Sequence, residues 1–256
     1  MGKILSIVNQ KGGVGKTTTA LNLGTCLAIE NKKVLLVDSD PQGNLTTGLG
    51  INKESLEGSL YELFIGSHSV DKVLIKTQIE NLWIIPSTID LVGVEVELIQ
   101  RENREFILKN ILSSVSEDFD YILIDAPPSL GLLTLNCLVA SDAIIIPVQC
   151  EYYALEGLGL LMRTFELVKI LNPNIKIQGI LLTMFDARNT LSRQVVEEVR
   201  KFFGGKVYNT IIPRNVALAE APSHGKPAVL YDIRSKGAQS YITFALEFLL
   251  NEKGAR

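Results

Sequence analysis

A chain of 256 residues that is 46% hydrophobic and carries a net charge of −3 has enough apolar material for one large packed core. It has no apolar run of the ~18 residues a membrane span needs, and no leader-type apolar segment with a cleavage site, so a cytoplasmic protein is expected. Its three cysteines, Cys26, Cys137 and Cys150, sit inside apolar strings without a Cys-x-x-Cys pair, which argues against a metal or iron–sulfur centre and for small core residues. In chain order, strands are expected at 2–9, 33–38, 82–86, 121–126, 143–149, 177–183 and 207–212, most of them continuous β-branched runs. Helices are expected at 17–29, 155–171 and 190–203, with the longest over 89–115. Strands alternating with crossover helices make a doubly wound α/β fold, a mostly parallel sheet with helices on both faces. There is no repeat or linker, so residues 1–256 read as a single domain.

Sheets of this kind bind ligands beyond the carboxyl ends of their strands. The distinctive polar strings fall at such ends: 9–18, 38–44, 125–131, 149–156 and 213–226. The first contains Lys-Gly-Gly-Val-Gly-Lys-Thr-Thr at 11–18, between a strand and a helix. Closely spaced glycines let backbone N–H groups turn inward around anionic oxygens. Lys11, Gly12, Gly13, Val14, Gly15, Lys16, Thr17 and Thr18 are therefore read as a phosphate-binding loop opening a helix N-terminus. In that reading Lys16 reaches the terminal phosphates and Thr17 places its hydroxyl on Mg²⁺. Gln10 stands where the usual loop has its first glycine, and Lys11 is an added cation.

Carboxylates complete the pattern. Asp125 ends the run Tyr-Ile-Leu-Ile, where a strand tip can orient the water shell of Mg²⁺. Asp38 and Asp40, one residue apart after the second strand, can serve the metal shell and an attacking water. Charge is uneven along the chain: residues 1–150 hold 11 basic and 18 acidic side chains, residues 151–256 hold 14 and 10. A basic C-terminal half is compatible with an anionic partner.

The two-lysine loop resembles the deviant Walker A motif of the ParA/MinD/nitrogenase-iron-protein ATPases. Asp-Ser-Asp-Pro-Gln-Gly-Asn at 38–44, Gln-Cys-Glu-Tyr-Tyr-Ala-Leu-Glu-Gly at 149–157, Asp-Ala-Arg at 186–188 and Ile-Pro-Arg-Asn-Val at 212–216 extend the resemblance to the ParA/Soj branch over nearly the whole chain. The resemblance implies an ATP- and Mg²⁺-dependent ATPase whose catalytic residues are Lys11, Lys16 and Asp40. Lys11 would cross a homodimer interface to the partner's nucleotide, and Asp40 would position the attacking water. Thr17, Asp38 and Asp125 would serve the metal, with Glu151 near the ribose or interface. Pro213 would border the adenine; Met184 fits either a core position or a base contact. It further implies a ParB-like centromere-binding partner, nucleoid association when ATP-bound, and nonspecific double-stranded DNA binding through Arg188, with Arg193, Arg200, Lys201, Arg214, Lys226, Arg234 and Lys236 as further cations. Relatives often carry arginine where this chain has Ala217, which puts one DNA contact in doubt. Two other readings share the loop. A MinD-like membrane-positioning ATPase is opposed by Pro-Gln-Gly-Asn at 41–44 and by a tail, 241–256, with only Lys253 and Arg256 as cations. That tail is expected to pack as a terminal helix, with no stable membrane association. A recruitment scaffold would use ATP without moving DNA.

Overall fold

The apolar runs become eight strands: β1 (Lys3–Ile7), β2 (Val34–Asp38), β3 (Ile75–Lys76), β4 (Leu82–Ile85), β5 (Tyr121–Asp125), β6 (Ala143–Gln149), β7 (Lys176–Phe185) and β8 (Val207–Pro213). The computed structural model describes residues 2–152 and 154–254, so Tyr153 of the 149–157 string and Arg256 of the tail lie outside the described residues. The strands form one sheet in the order β3-β4-β2-β5-β1-β6-β7-β8. All pairs are parallel except β3 on β4, a two-residue edge too short to leave a sequence signal.

Burial on both faces explains the unbroken apolar strings. Successive strand residues point to opposite sides, so Ile4, Leu35, Ile122 and Ile144 enter one hydrophobic cluster while Leu5, Leu36, Leu123 and Ile145 enter the other. The second cluster is closed by the helix Lys16–Ile29 and by Tyr241, Phe244 and Phe248 of the terminal helix Lys236–Gly254. The tail thus packs as expected. Among the described residues no helix is long and apolar enough to cross a membrane. All three cysteines are buried and free.

The helix expected over 89–115 is not continuous. It breaks into a 3-10 turn Ile89–Gly93, a helix Val94–Glu97, a second 3-10 turn Arg104–Phe106 and a helix Ile107–Ser113. One straight helix over that span would run ~40 Å, well past the ends of five-residue strands. The chain turns back through Asn103, whose φ of 54° is left-handed. Side chains supply the hydrogen bonds the helix loses: Arg101 donates to the carbonyl of Phe64, Arg104 to that of Ile99, and Asn136 accepts from the N–H of Leu108. Apolar periodicity within each half remains correct, so Leu91, Val94 and Leu98 share a cluster with Ile107, Leu108 and Leu112.

Two left-handed glycines fix how the turn after the helix Asn44–Gly48 meets the turn after residues 221–224. Gly50 (φ 75°) and Gly225 (φ 61°) pack backbone to backbone, and a Cβ on Gly225 would lie 2.5 Å from the Cα of Gly50. Gly225→Ala combines a strained φ with that overlap and should cost about 2–4 kcal/mol. Urea unfolding should show a lower midpoint at unchanged slope; an unaltered midpoint would mean the two turns part freely.

Candidate functional site

Parallel register brings the polar strand ends together. Ile7 and Asp38 both pair with Asp125, so the tips of β1, β5 and β2 lie side by side. The loop leaving β1 turns through Gly13 (φ 72°) and Gly15 (φ 91°), conformations that a Cβ would oppose. Gly15 ends the loop without a side-chain cap, leaving the first N–H groups of the helix Lys16–Ile29 for an anion. The loop is tied down at both ends. The Asn9 side chain accepts from the N–H of Lys11 and donates to the carbonyl of Pro147; the Thr183 hydroxyl donates to the carbonyl of Val14 at 2.8 Å.

Lys16 is only 7% exposed and bends back over the loop, its Nζ 3.2 Å from the carbonyl oxygen of Lys11. Burial holds its pKa below the usual lysine value, and the charges of Asp125 and Asp40 partly offset that. An ammonium that makes no salt bridge among the described residues, and feels Asp125 and Asp40 only at longer range, can take a phosphate as its close counter-anion.

Asp38 and Asp125 are both fully buried. Burial first, opposed by donors from Thr46, pushes Asp38 up to about 6. Asp125 stands well above the carboxylate range, through burial and then the charge of Asp38, with Thr17 and Lys16 pulling it back. The Thr17 hydroxyl acts on it, yet among the described residues neither oxygen of Asp125 receives a well-formed hydrogen bond. Two adjacent buried carboxylates, one of them orphaned, fit a divalent cation, which would remove both the repulsion and the unmet acceptors. Among the described residues no group of three or more His, Cys, Asp or Glu side chains could hold an ion alone. That suits Mg²⁺, which keeps several waters and takes one or two carboxylates plus substrate phosphates. Asp40 is half-buried; its Oδ1 accepts from the N–H of Gln42 at 2.9 Å, and its own N–H reaches Oδ1 of Asp38 at 3.3 Å.

On the other side of the loop, Glu151 gathers three donors: Gln149 at 2.6 Å, Arg214 at 3.4 Å and Lys11 at 3.5 Å. The Lys11 side chain remains 38% exposed at the mouth of the loop. Beyond Thr18 a cavity of about 290 Å³ is lined by Thr183, Met184, Pro213, Asn215, Leu218 and Tyr241. Met184 joins neither large hydrophobic cluster and holds a φ of 52° within β7, rare for a side chain of its size. Its half-buried position on the cavity wall separates it from an ordinary core methionine.

The basic residues divide. Arg188 and Arg193 follow β7 and Arg214 follows β8, all exposed at the nucleotide-loop edge of the sheet. Arg188 is 90% exposed and forked onto Asp186, and Arg193 donates to the carbonyl of Ala187. Lys226 is exposed beside Gly225. Arg200 and Lys201 instead occupy the last turn of the helix Thr190–Phe203, with Lys201 ~12 Å along the axis from Arg193. That helix leads from the carboxyl end of β7 back to the start of β8, so Arg200 and Lys201 lie further along it than Arg193. Sequence reasoning passed over Asn9, Asn22, Thr46 and Thr183, whose partners are distant in the chain.

The sporulation initiation inhibitor protein Soj of Bacillus subtilis is 58% identical over 252 residues, covering 98% of this chain and 100% of that protein. The chain belongs to the ParA/Soj family. A family model described as an AAA domain matches residues 2–177. The chromosome partitioning protein ParA of Myxococcus xanthus is 53% identical, covering 97% of this chain and 88% of that protein. Among solved structures, a protein named cobyrinic acid a,c-diamide synthase from Mycobacterium smegmatis, with bound ATP analogue and magnesium, superposes with a TM-score of 0.88. It is 39% identical, with 100% of this chain and 98% of that one covered. ParA/Soj membership makes the chain a P-loop ATPase of the chromosome-partitioning class, with ATP and Mg²⁺ as its cofactors.

Proposed function

We propose that this ParA/Soj ATPase is a Mg²⁺-ATP-driven dimerisation switch that binds double-stranded DNA nonspecifically and partitions a chromosome or plasmid with a ParB-like partner. Residues 1–256 act as one ATPase unit, free in the cytoplasm and held on the nucleoid when ATP-bound. Lys16 and the loop N–H groups hold the phosphates, Thr17, Asp38 and Asp125 hold the Mg²⁺ shell, and Asp40 orients the attacking water. Met184 and Pro213 border the base. Bound Mg²⁺ supplies charge neutralisation at the β- and γ-phosphates.

The observation that carries the switch is the placement of Lys11. Lys16 already covers the chain's own loop, whereas Lys11 sits half-exposed outside it, tethered among the described residues by a 3.5 Å contact to Glu151. An ion pair this exposed contributes well under ~1 kcal/mol, so Lys11 is free to leave for a phosphate in a second copy. Lys11→Ala should keep monomer ATP binding, within a fewfold, and lose ATP-dependent dimerisation. Sedimentation with ATP and Mg²⁺ measures this; wild-type dimerisation by the variant would leave Lys11 a solvated lysine.

DNA contact rests on Arg188, Arg193, Lys201, Arg214 and Lys226, pooled from two subunits. Phosphate neutralisation releases counterions, so binding should weaken steeply with salt. Arg188→Glu places a second carboxylate against Asp186 and should abolish ATP-dependent DNA retention while ATP binding and dimerisation persist. Gel shifts across a salt series, with a dimerisation control, test this. Wild-type retention by the variant would remove Arg188 from the interface; no retention by wild type in any nucleotide state would favour the recruitment scaffold. A membrane role is opposed by the burial of Tyr241, Phe244 and Phe248 of the terminal helix in the core.

A further inference from the structure

Thr46 is fully buried in the short helix Asn44–Gly48. Its backbone N–H and its hydroxyl both donate to Oδ2 of Asp38, at 2.8 and 2.7 Å. The same hydroxyl accepts from the N–H of Ser87, at 3.0 Å, just beyond the end of β4. A threonine hydroxyl carries one proton. With the Ser87 N–H occupying a lone pair, that proton is directed at Asp38. Oδ2 is thus tied into the fold twice, while among the described residues Oδ1 receives only the 3.3 Å contact from the N–H of Asp40. The two oxygens of a carboxylate are chemically equal until their surroundings distinguish them, and here Thr46 distinguishes them.

We propose that Thr46 is a positioning residue of the Mg²⁺-ATP site, fixing the rotation of the Asp38 carboxylate so that Oδ1 alone faces the metal's water shell. The proposal rests on the assignment of Asp38 to that shell. Three elements meet at the hydroxyl: the tip of β2, the short helix and the end of β4. Turning the carboxylate plane of Asp38 away from this orientation would break both donations from Thr46, so the plane is held before a nucleotide arrives. Groups that orient a metal-facing ligand commonly change metal affinity by roughly 10- to 100-fold when removed.

The test is titration of labelled ADP, first in excess EDTA and then against rising Mg²⁺ at fixed nucleotide. Thr46→Val keeps the shape and the backbone N–H but deletes the hydroxyl. It should raise the Mg²⁺ midpoint roughly 10- to 100-fold and leave Mg²⁺-free affinity unchanged. Thr46→Ser, which keeps the hydroxyl, should restore the wild-type midpoint; a role confined to packing would not sort valine from serine in this way. If Thr46→Val does not fold, Thr46→Cys substitutes a weak donor of similar size and should raise the midpoint relative to Thr46→Ser. A wild-type midpoint in the folded variant lacking the hydroxyl overturns the proposal. Asp38→Asn separates the two layers. No midpoint shift in Asp38→Asn removes Asp38 from the magnesium shell, and the Thr46 proposal with it. A shift in Asp38→Asn without one at Thr46 overturns the Thr46 proposal alone.

Discussion

Lys16→Ala should lower ATP affinity roughly a hundredfold or more, the loss of a charge-assisted contact to the terminal phosphates being a few kcal/mol. The side chain is nearly buried, points across the loop at a carbonyl rather than a carboxylate, and has its charge supported by Asp125 and Asp40 only at a distance. A buried cation so weakly paired gains most when an anion arrives. The fold should survive, because the loop is anchored by Asn9 and Thr183 rather than by Lys16. Equilibrium titration with labelled ATP, alongside thermal unfolding without nucleotide, separates the two effects. Near-wild-type affinity would move the phosphates off this loop; collapse of the apo protein would make Lys16 a structural residue.

What the sequence made visible follows from how local each requirement is. The phosphate loop asks for glycines, lysine and threonine within eight residues, and the strand before it asks for a continuous apolar run; both needs are written in adjacent positions. Asp38 and Asp125 are 87 residues apart, yet each ends its own apolar run, and parallel pairing then sets them in register. The supporting contacts carry no such mark. Asn9 reaches Pro147 across 138 positions, Thr183 reaches Val14 across 169, and Asn22 accepts from the N–H of Ala228 across 206. A buried asparagine or threonine at those places reads in sequence as an ordinary polar residue. Met184 shows the same limit, since only its left-handed backbone and its position on the cavity wall distinguish it. The break within 89–115 depends on Phe64 and Asn136, neither of them inside the segment whose periodicity promised one helix.

Asp40→Ala should leave ATP binding intact and reduce turnover by about 10²- to 10⁴-fold, the range in which a positioned general base or water-orienting group contributes. Asp40 differs from its neighbour Asp38 in two ways. It is half-exposed rather than buried, and only Oδ1 is engaged, by the N–H of Gln42, leaving Oδ2 without a hydrogen bond among the described residues. A carboxylate with one oxygen anchored and the other unengaged can hold a water at a fixed angle to a phosphate. Removing its charge also lessens the negative field around Lys16, so nucleotide affinity should hold or rise slightly. The turn itself should persist, because the N–H of Gly43 bonds to the backbone carbonyl of residue 40, not to its side chain. With hydrolysis blocked and binding retained, the variant should accumulate as an ATP-bound dimer. Size-exclusion chromatography in ATP and Mg²⁺ would show a persistent dimer peak where wild type relaxes to monomer as ATP is consumed. Asp40→Asn, which keeps an acceptor without the charge, should fall between the two in turnover. Normal hydrolysis by Asp40→Ala, or a variant that binds ATP yet stays monomeric, would take Asp40 out of the chemical step and leave it a turn-forming residue of the segment that carries Asp38.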